Sequence, residues 1–247
     1  MDISTILLLT ALIFAAAALY ASVGHAGASG YLAAMALFGL APLEMKPAAL
    51  SLNILVATIA TVTYLRAGRF SWKLFWPFAL ASVPFAYLGG LLMLPGEYYK
   101  PVVGLVLVYA AWRFLLDAAK PDYDLRQASL GLILIAGAGL GFLSGLVGVG
   151  GGIFLSPLLI ALRWETVKNI SGIAAAFILV NSIAGLAGFM SSQTPHLPDG
   201  IVYWALAAAL GGYIGAQYGS KRFATPLLKR LLALVLVIAG VKLMAAV

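Results

Sequence analysis

The chain has no cysteine and very little charge. Without cysteine there can be no disulfide, iron–sulfur cluster or thiolate metal site, although the redox compartment stays open. Only eight carboxylates and two histidines stand among 247 residues, and the acids lie in or beside loops. No His-Glu-x-x-His pattern, carboxylate cluster or Walker A loop occurs, so metal, hydrolytic and ATP-driven chemistry find no visible ligands. The chain is accordingly read as no enzyme, with no cofactor. What it has in abundance is apolar surface: 63% hydrophobic against 9% charged residues, with a mean hydropathy of +1.05. That composition belongs to an integral membrane protein, read as one transmembrane domain over residues 1–247. A net charge of +7 does not make it a nucleic-acid binder, because its fifteen Lys and Arg sit in short loops between apolar runs, where membrane topology accounts for them. The first apolar run is not read as a signal peptide, since only Asp2 precedes it and its counterpart lies mid-chain.

Apolar stretches fall at 3–23, 29–40, 47–65, 72–94 and 101–116, and again at 128–147, 153–162, 167–190, 201–218 and 227–246. These are five segments repeated in order. Val23-Gly24 matches Val147-Gly148 at a spacing of 124, and Tyr87-Leu88-Gly89-Gly90 matches Tyr213-Ile214-Gly215-Ala216 at 126, about half the chain. Two repeats follow, 1–120 and 125–247. In each, the second segment is too short to cross a bilayer, which takes ~20 residues, and reads as the return leg of a re-entrant hairpin.

If each hairpin makes no net crossing, three spans per repeat remain and the repeats have inverted topology. The loops around 66–73, 113–126, 163–168 and 219–230 then share one face and carry twelve of the fifteen cations, leaving Lys46, Lys100 and Lys242 on the other. The positive-inside rule makes the first face cytoplasmic and puts both termini outside. The expected fold is thus all-α and polytopic, two inverted repeats of five segments, each opening with a glycine-broken re-entrant-like hairpin.

The breaks are Val23-Gly24-His25-Ala26-Gly27-Ala28-Ser29-Gly30 and Gly148-Val149-Gly150-Gly151-Gly152. Irregular backbone survives in a bilayer only where protein buries it or where it lines a cavity, and paired breaks in inverted repeats point to a transporter's binding site. A return leg that starts at the tip turns its unpaired N–H groups and the positive end of its dipole to the centre, which suits an anion. Gly24, Gly27, Gly148, Gly150, Gly151 and Gly152 are expected to supply backbone donors. Ser29 is placed to cap the first return leg and to donate to an oxyanion. His25 is read two ways: a carrier of a coupling proton or partner of the anion, or a neutral imidazole bonded to a backbone carbonyl at the break. Asn53, Asn181 and Ser182 are expected to line the cavity, on helices that follow the hairpins. Ser51, Thr58 and Ser171, and the scattered Gly185, Gly188, Gly211 and Gly212, lean toward helix packing. The aromatics Trp72, Trp76, Tyr98, Tyr99, Trp164 and Tyr203 read as interfacial belts. With no Lys or Arg expected inside, the affinity for an anion should be modest.

The stretches GFLSGLVGVGGGIFLSPLLIAL, VKNISGIAAAFILVNSIAGLAGF, ALGGYIGAQYGSKRF and LLKRLLALVLVIAGVKLM resemble the TauE/SafE family of bacterial sulfite exporters. The resemblance covers nearly the full chain and is strongest over 137–247; the first glycine motif, GHAGASG, is poorer in glycine than the family's. It implies a secondary transporter, described as an exporter, of sulfur-containing anions such as sulfite, thiosulfate, sulfoacetate or other organosulfonates. The expected partners are that small anion, membrane lipid, a coupling proton or other ion, and a second copy of the chain. A passive anion channel is the alternative, followed by a membrane-embedded enzyme or assembly subunit.

Overall fold

A computed structural model describes residues 1–116, 124–221 and 226–245. Among them are ten helices and no strand: α1 (Ile3–Ala21), α2 (Ala28–Leu37), α3 (Pro42–Arg66), α4 (Trp72–Leu91), α5 (Gly96–Leu116), α6 (Leu130–Val147), α7 (Gly152–Leu162), α8 (Val167–Ser192), α9 (Ile201–Lys221) and α10 (Pro226–Ala245). These are the ten expected segments in the expected order. Lys120 and Arg222, two of the cations assigned to the cytoplasmic face, lie outside the described residues. By length and composition α1, α3, α4, α6 and α8 can cross a membrane, whereas α2 and α7 are too short.

Local chemistry sets most boundaries. Pro42 opens α3, where its missing N–H costs nothing. The Thr166 side chain caps α8 by accepting from the Asn169 amide. Helix α6 stops at Gly148, which closes its last turn in the left-handed region at φ 85°.

The helices pair by small residues. α1 lies along α9 and α6 along α4; α3 packs on α8 and α9, α8 also on α4, and α5 on α10. Exchanging the first five helices for the last five leaves these main pairings unchanged. Lipid gives apolar side chains no reason to leave it, so close backbone approach supplies the packing energy. Gly145 rests on the Ala86 carbonyl, Gly188 on that of Tyr87 and Gly211 on that of Phe14, while a Cβ on Gly212 would sit 2.7 Å from Val56 and one on Gly185 3.2 Å from the Gly145 Cα. These scattered glycines therefore serve packing, as expected.

Two of the six belt aromatics are not at the surface. Trp72, Trp76, Tyr98 and Tyr203 are exposed, but Trp164 packs beside Phe78 and Phe177 in a buried apolar cluster, and Tyr99 is buried with its hydroxyl on a main-chain carbonyl. Nearness to a span's end does not say which way the ring points.

Candidate functional site

Both breaks are tight non-helical turns between two helices. In the first, Gly24 and Gly27 take φ of 81° and 106°; in the second, Gly148, Gly150 and Gly151 take 85°, 79° and 79°. Side-chain-bearing residues rarely adopt this conformation, which is why glycine stands at these positions. Gly27 and Gly151 are the N-cap residues of α2 and α7. At α7 the amides of Phe154 and Leu155 turn back to the Gly151 carbonyl, so the first N–H groups of the helix have no helical acceptor and point out of the tip.

The C-terminal end of each first leg is covered from another helix. The Tyr64 hydroxyl of α3 donates to the carbonyls of Ala21 and Ser22 at 3.1 Å each, and the Tyr99 hydroxyl of α5 donates to Val147 at 3.0 Å. Tyr64 is not among the residues singled out from the sequence, and Tyr99 is read there as a belt residue; a tyrosine in an apolar span, whose hydroxyl needs a partner, is the available signal.

The structure brings seven of the eleven expected residues together around the second break. A Cβ on Gly150 would lie 2.8 Å from Asn53 Nδ2, 3.0 Å from Ser182 Oγ and 2.7 Å from Ile178. Asn53 donates to the Val149 carbonyl at 3.2 Å and to Ser182 Oγ at 3.4 Å, joining α3, α8 and the turn. Gly151 faces Phe177 and Ser144, and Gly152 faces Ile178. His25 reaches this group from the other hairpin: its Nε2 lies 3.0 Å from the Gly152 carbonyl and 3.2 Å from Ser156 Oγ. A carbonyl only accepts, so Nε2 carries the hydrogen in this contact. Of the two readings of His25, this is the carbonyl-bonded one, with the carbonyl supplied by the opposite break.

The other four sit elsewhere. Gly24 packs on the Ser171 backbone, and Gly27 lies over the Tyr31 ring. Asn181 is fully buried beside Ser182, but its amide donates to its own helix at the Phe177 carbonyl, 2.8 Å away. Ser29 is the correction. It lies inside α2 rather than at the cap, which is Gly27, and its hydroxyl is bonded to Tyr20 of α1 at 2.6 Å. A left-handed glycine two residues earlier, Gly27, already ends the break. Apart from the half-buried His25, all the expected residues are buried.

The carboxamide oxygens of Asn53 and Asn181 and the hydroxyl of Ser144 are buried without a hydrogen-bond partner. Such groups cost free energy unless something completes them, and all three belong to helices that line or precede the second break.

A second correction concerns charge. Lys46, expected at the outer surface, is fully buried. Its stem lies against Gly148, and its ammonium donates to the carbonyls of Leu92 (3.0 Å), Gly90 (3.3 Å) and Gly89 (3.5 Å) over the Phe189 ring at 5.6 Å. The interior therefore does hold a basic side chain, held by the carbonyls at the negative end of α4 rather than by a carboxylate.

The family model for the sulfite exporter TauE/SafE matches residues 9–243. The chain is similar to the probable membrane transporter protein y4hK of Sinorhizobium fredii, 40% identical over 235 residues, covering 94% of this chain and 95% of that one. It is also similar to a probable membrane transporter protein of a Sinorhizobium species, 29% identical over 91% of this chain and 87% of the relative. One from Methanocaldococcus jannaschii is 27% identical over 66% of this chain and 62% of its own. No solved structure matches.

Proposed function

We propose, for a chain that belongs to the TauE/SafE sulfite exporter family, that it is a secondary carrier moving small sulfur-containing anions, such as sulfite, thiosulfate or organosulfonates like sulfoacetate, outward across the bacterial inner membrane. The observation that carries this reading is the buried turn Gly148–Gly152, whose amides open α7 opposite Asn53 and Ser182. Amide and hydroxyl donors with the positive end of a helix form an anion site that needs no fixed counter-charge. Glycine lets the oxyanion approach the backbone itself.

The pairing of the helices supports alternating access. The exchangeable contacts of the two halves support inverted repeats, and two hairpins that meet at His25 and Gly152 can close the path from either side in turn. The site residues, the half-buried His25 apart, are buried, which favours a carrier reading over an open pore.

The test is ligand-dependent stability of the purified protein against sulfite, thiosulfate, sulfoacetate, taurine, sulfate and chloride. A specific anion at a hundredfold excess over its Kd raises stability by about 2.7 kcal/mol. Gly151→Ala, the smallest added side chain, still inserts but loses both the shift and flux in liposomes, because its Cβ would lie 2.9 Å from Phe177 and 3.2 Å from Ser144 where the anion would approach. Unchanged flux in that variant refutes the site. Single-channel currents far above carrier turnover would establish the passive channel instead.

A further inference from the structure

Lys46 and Arg69 make parallel contacts at opposite ends of α3. Lys46 stands near the start of α3 and Arg69 just beyond its end, and the helix between Lys46 and Arg66 is about 30 Å long at ~1.5 Å per residue. Each donates to the C-terminal carbonyls of a packing partner: Lys46 to Gly89, Gly90 and Leu92 at the end of α4, Arg69 to Gly219 at 3.4 Å near the end of α9. Helices α4 and α9 are the matching fourth segments of the two halves.

Each cation also adjoins one of the two breaks. The Lys46 stem lies against Gly148. Arg69 is tied to the first break through its neighbours: its amide donates to the Tyr64 carbonyl, Tyr64 holds the Ala21 and Ser22 carbonyls, and Gly219 packs on Ser22. Among the described residues, neither is paired with a carboxylate; main-chain carbonyls and the Phe189 face are the partners shown.

A surface cleft lies near each in sequence. One of about 340 Å³ is lined by Pro42 and Leu43, shortly before Lys46, and by Met93 and Leu94, next to its acceptor Leu92. The other, of about 540 Å³, is lined by Thr63, Arg66 and Ser220, the last next to Gly219. Neither Lys46 nor Arg69 is itself among these lining residues. A cation held only by neutral carbonyls keeps its full charge available, and a small divalent or monovalent oxyanion is a stronger acceptor than they are.

We infer that Lys46 and Arg69 are the two anion-receiving residues of the transport path, one at each membrane face, each exchanging its helix-end carbonyls for the sulfur oxyanion or sulfonate on its way to or from the glycine turns. The inference rests on the transport reading above and adds to it the residues that admit the substrate.

The experiment measures sulfite flux in right-side-out and inverted vesicles of the full chain. Lys46→Gln, whose amide still donates to Leu92, raises KM about tenfold for sulfite offered at the α3 N-terminal face only. Arg69→Gln does so at the other face only. Lys46→Arg and Arg69→Lys, which keep the charge, stay within about twofold. Should Lys46→Gln fail to insert, Lys46→Cys, the single thiol in the chain, is compared after aminoethyl and methyl methanethiosulfonate; only the aminoethyl adduct, which restores an ammonium, recovers the low KM. A wild type that carries sulfite while the Gln variants keep its KM at both faces, or lose it equally at both, overturns the assignment and leaves the transport reading standing. Helix capping alone gives that pattern, with lowered thermal stability. A wild type that moves none of sulfite, thiosulfate or sulfoacetate overturns both.

Discussion

The two hairpin tips share a backbone and differ in where their polar groups come from. The first brings its own: His25 in the turn and Ser29 just inside α2, with Tyr20 and Tyr31 tying the turn to its flanking legs through Ser29 Oγ and the Ala26 carbonyl. The second, from Gly148 to Gly152, has no polar side chain and borrows Asn53, Ser182 and Lys46 from α3 and α8. Lys46 and Ser171 stand 125 residues apart in sequence at matching places, one against Gly148 and the other against Gly24. A bare turn surrounded by donors can admit a ligand to its amides; a turn braced by its own side chains holds position. On the proposed transport reading, the second tip is the binding element and the first its brace.

Alanine at one glycine of each tip separates these roles. Gly24→Ala drives a Cβ into the Ser171 backbone at a left-handed φ of 81°, and neither side can yield. Strain of about 1–3 kcal/mol for the dihedral and a similar amount for the overlap make it the largest stability loss, read as early thermal unfolding or failure to insert. Gly150→Ala carries comparable dihedral strain at φ 79°, but its Cβ meets the movable ends of Ile178, Asn53 and Ser182 at 2.7–3.0 Å. It loses less stability and more transport. Equal flux per folded molecule in Gly150→Ala and wild type would dissolve the comparison.

Side-chain truncation sharpens it at intermediate size. Asn53→Leu removes a side chain bonded to both the Val149 carbonyl and Ser182, and flux should fall by about tenfold or more, since buried partners are left unmatched. Ser29→Ala removes a bond within the first hairpin and should lower stability by about 1 kcal/mol with KM unchanged. If Ser29→Ala changes KM for sulfite and Asn53→Leu does not, the roles of the tips are reversed.

Much of this was legible in the sequence. The helices and breaks could be read because lipid forbids loose backbone and because glycine at a left-handed turn has few substitutes; Gly148, Gly150 and Gly151 occupy such turns. The direction of side chains could not be read. Lys46 looks like a loop cation four residues into α3 until α4's last carbonyls are seen beside it, and Tyr99 looks like a belt residue until Val147 is. Nor does the sequence pair His25 with Gly152, which stands 127 residues away. Ser29 differs for a smaller reason: the cap is Gly27 and α2 begins two residues earlier than a cap at Ser29 implies.

The contact between the tips gives the smallest expected effect and the sharpest distinction. His25 crosses from brace to binding element by donating to the Gly152 carbonyl with Ser156 beside it. If it serves as a strut, a glutamine amide can replace it: His25→Gln stays within about 0.5 kcal/mol of wild-type stability, whereas His25→Ala loses about 1 kcal/mol, measured by thermal unfolding in detergent. Flux in His25→Gln should keep the wild-type profile between about pH 6 and 8, the range over which an imidazole that carried the coupling proton would impose its own titration. A profile that flattens in His25→Gln while stability is kept would make the residue a proton carrier, and the first tip would then take part in the chemistry of transport as well as bracing the second.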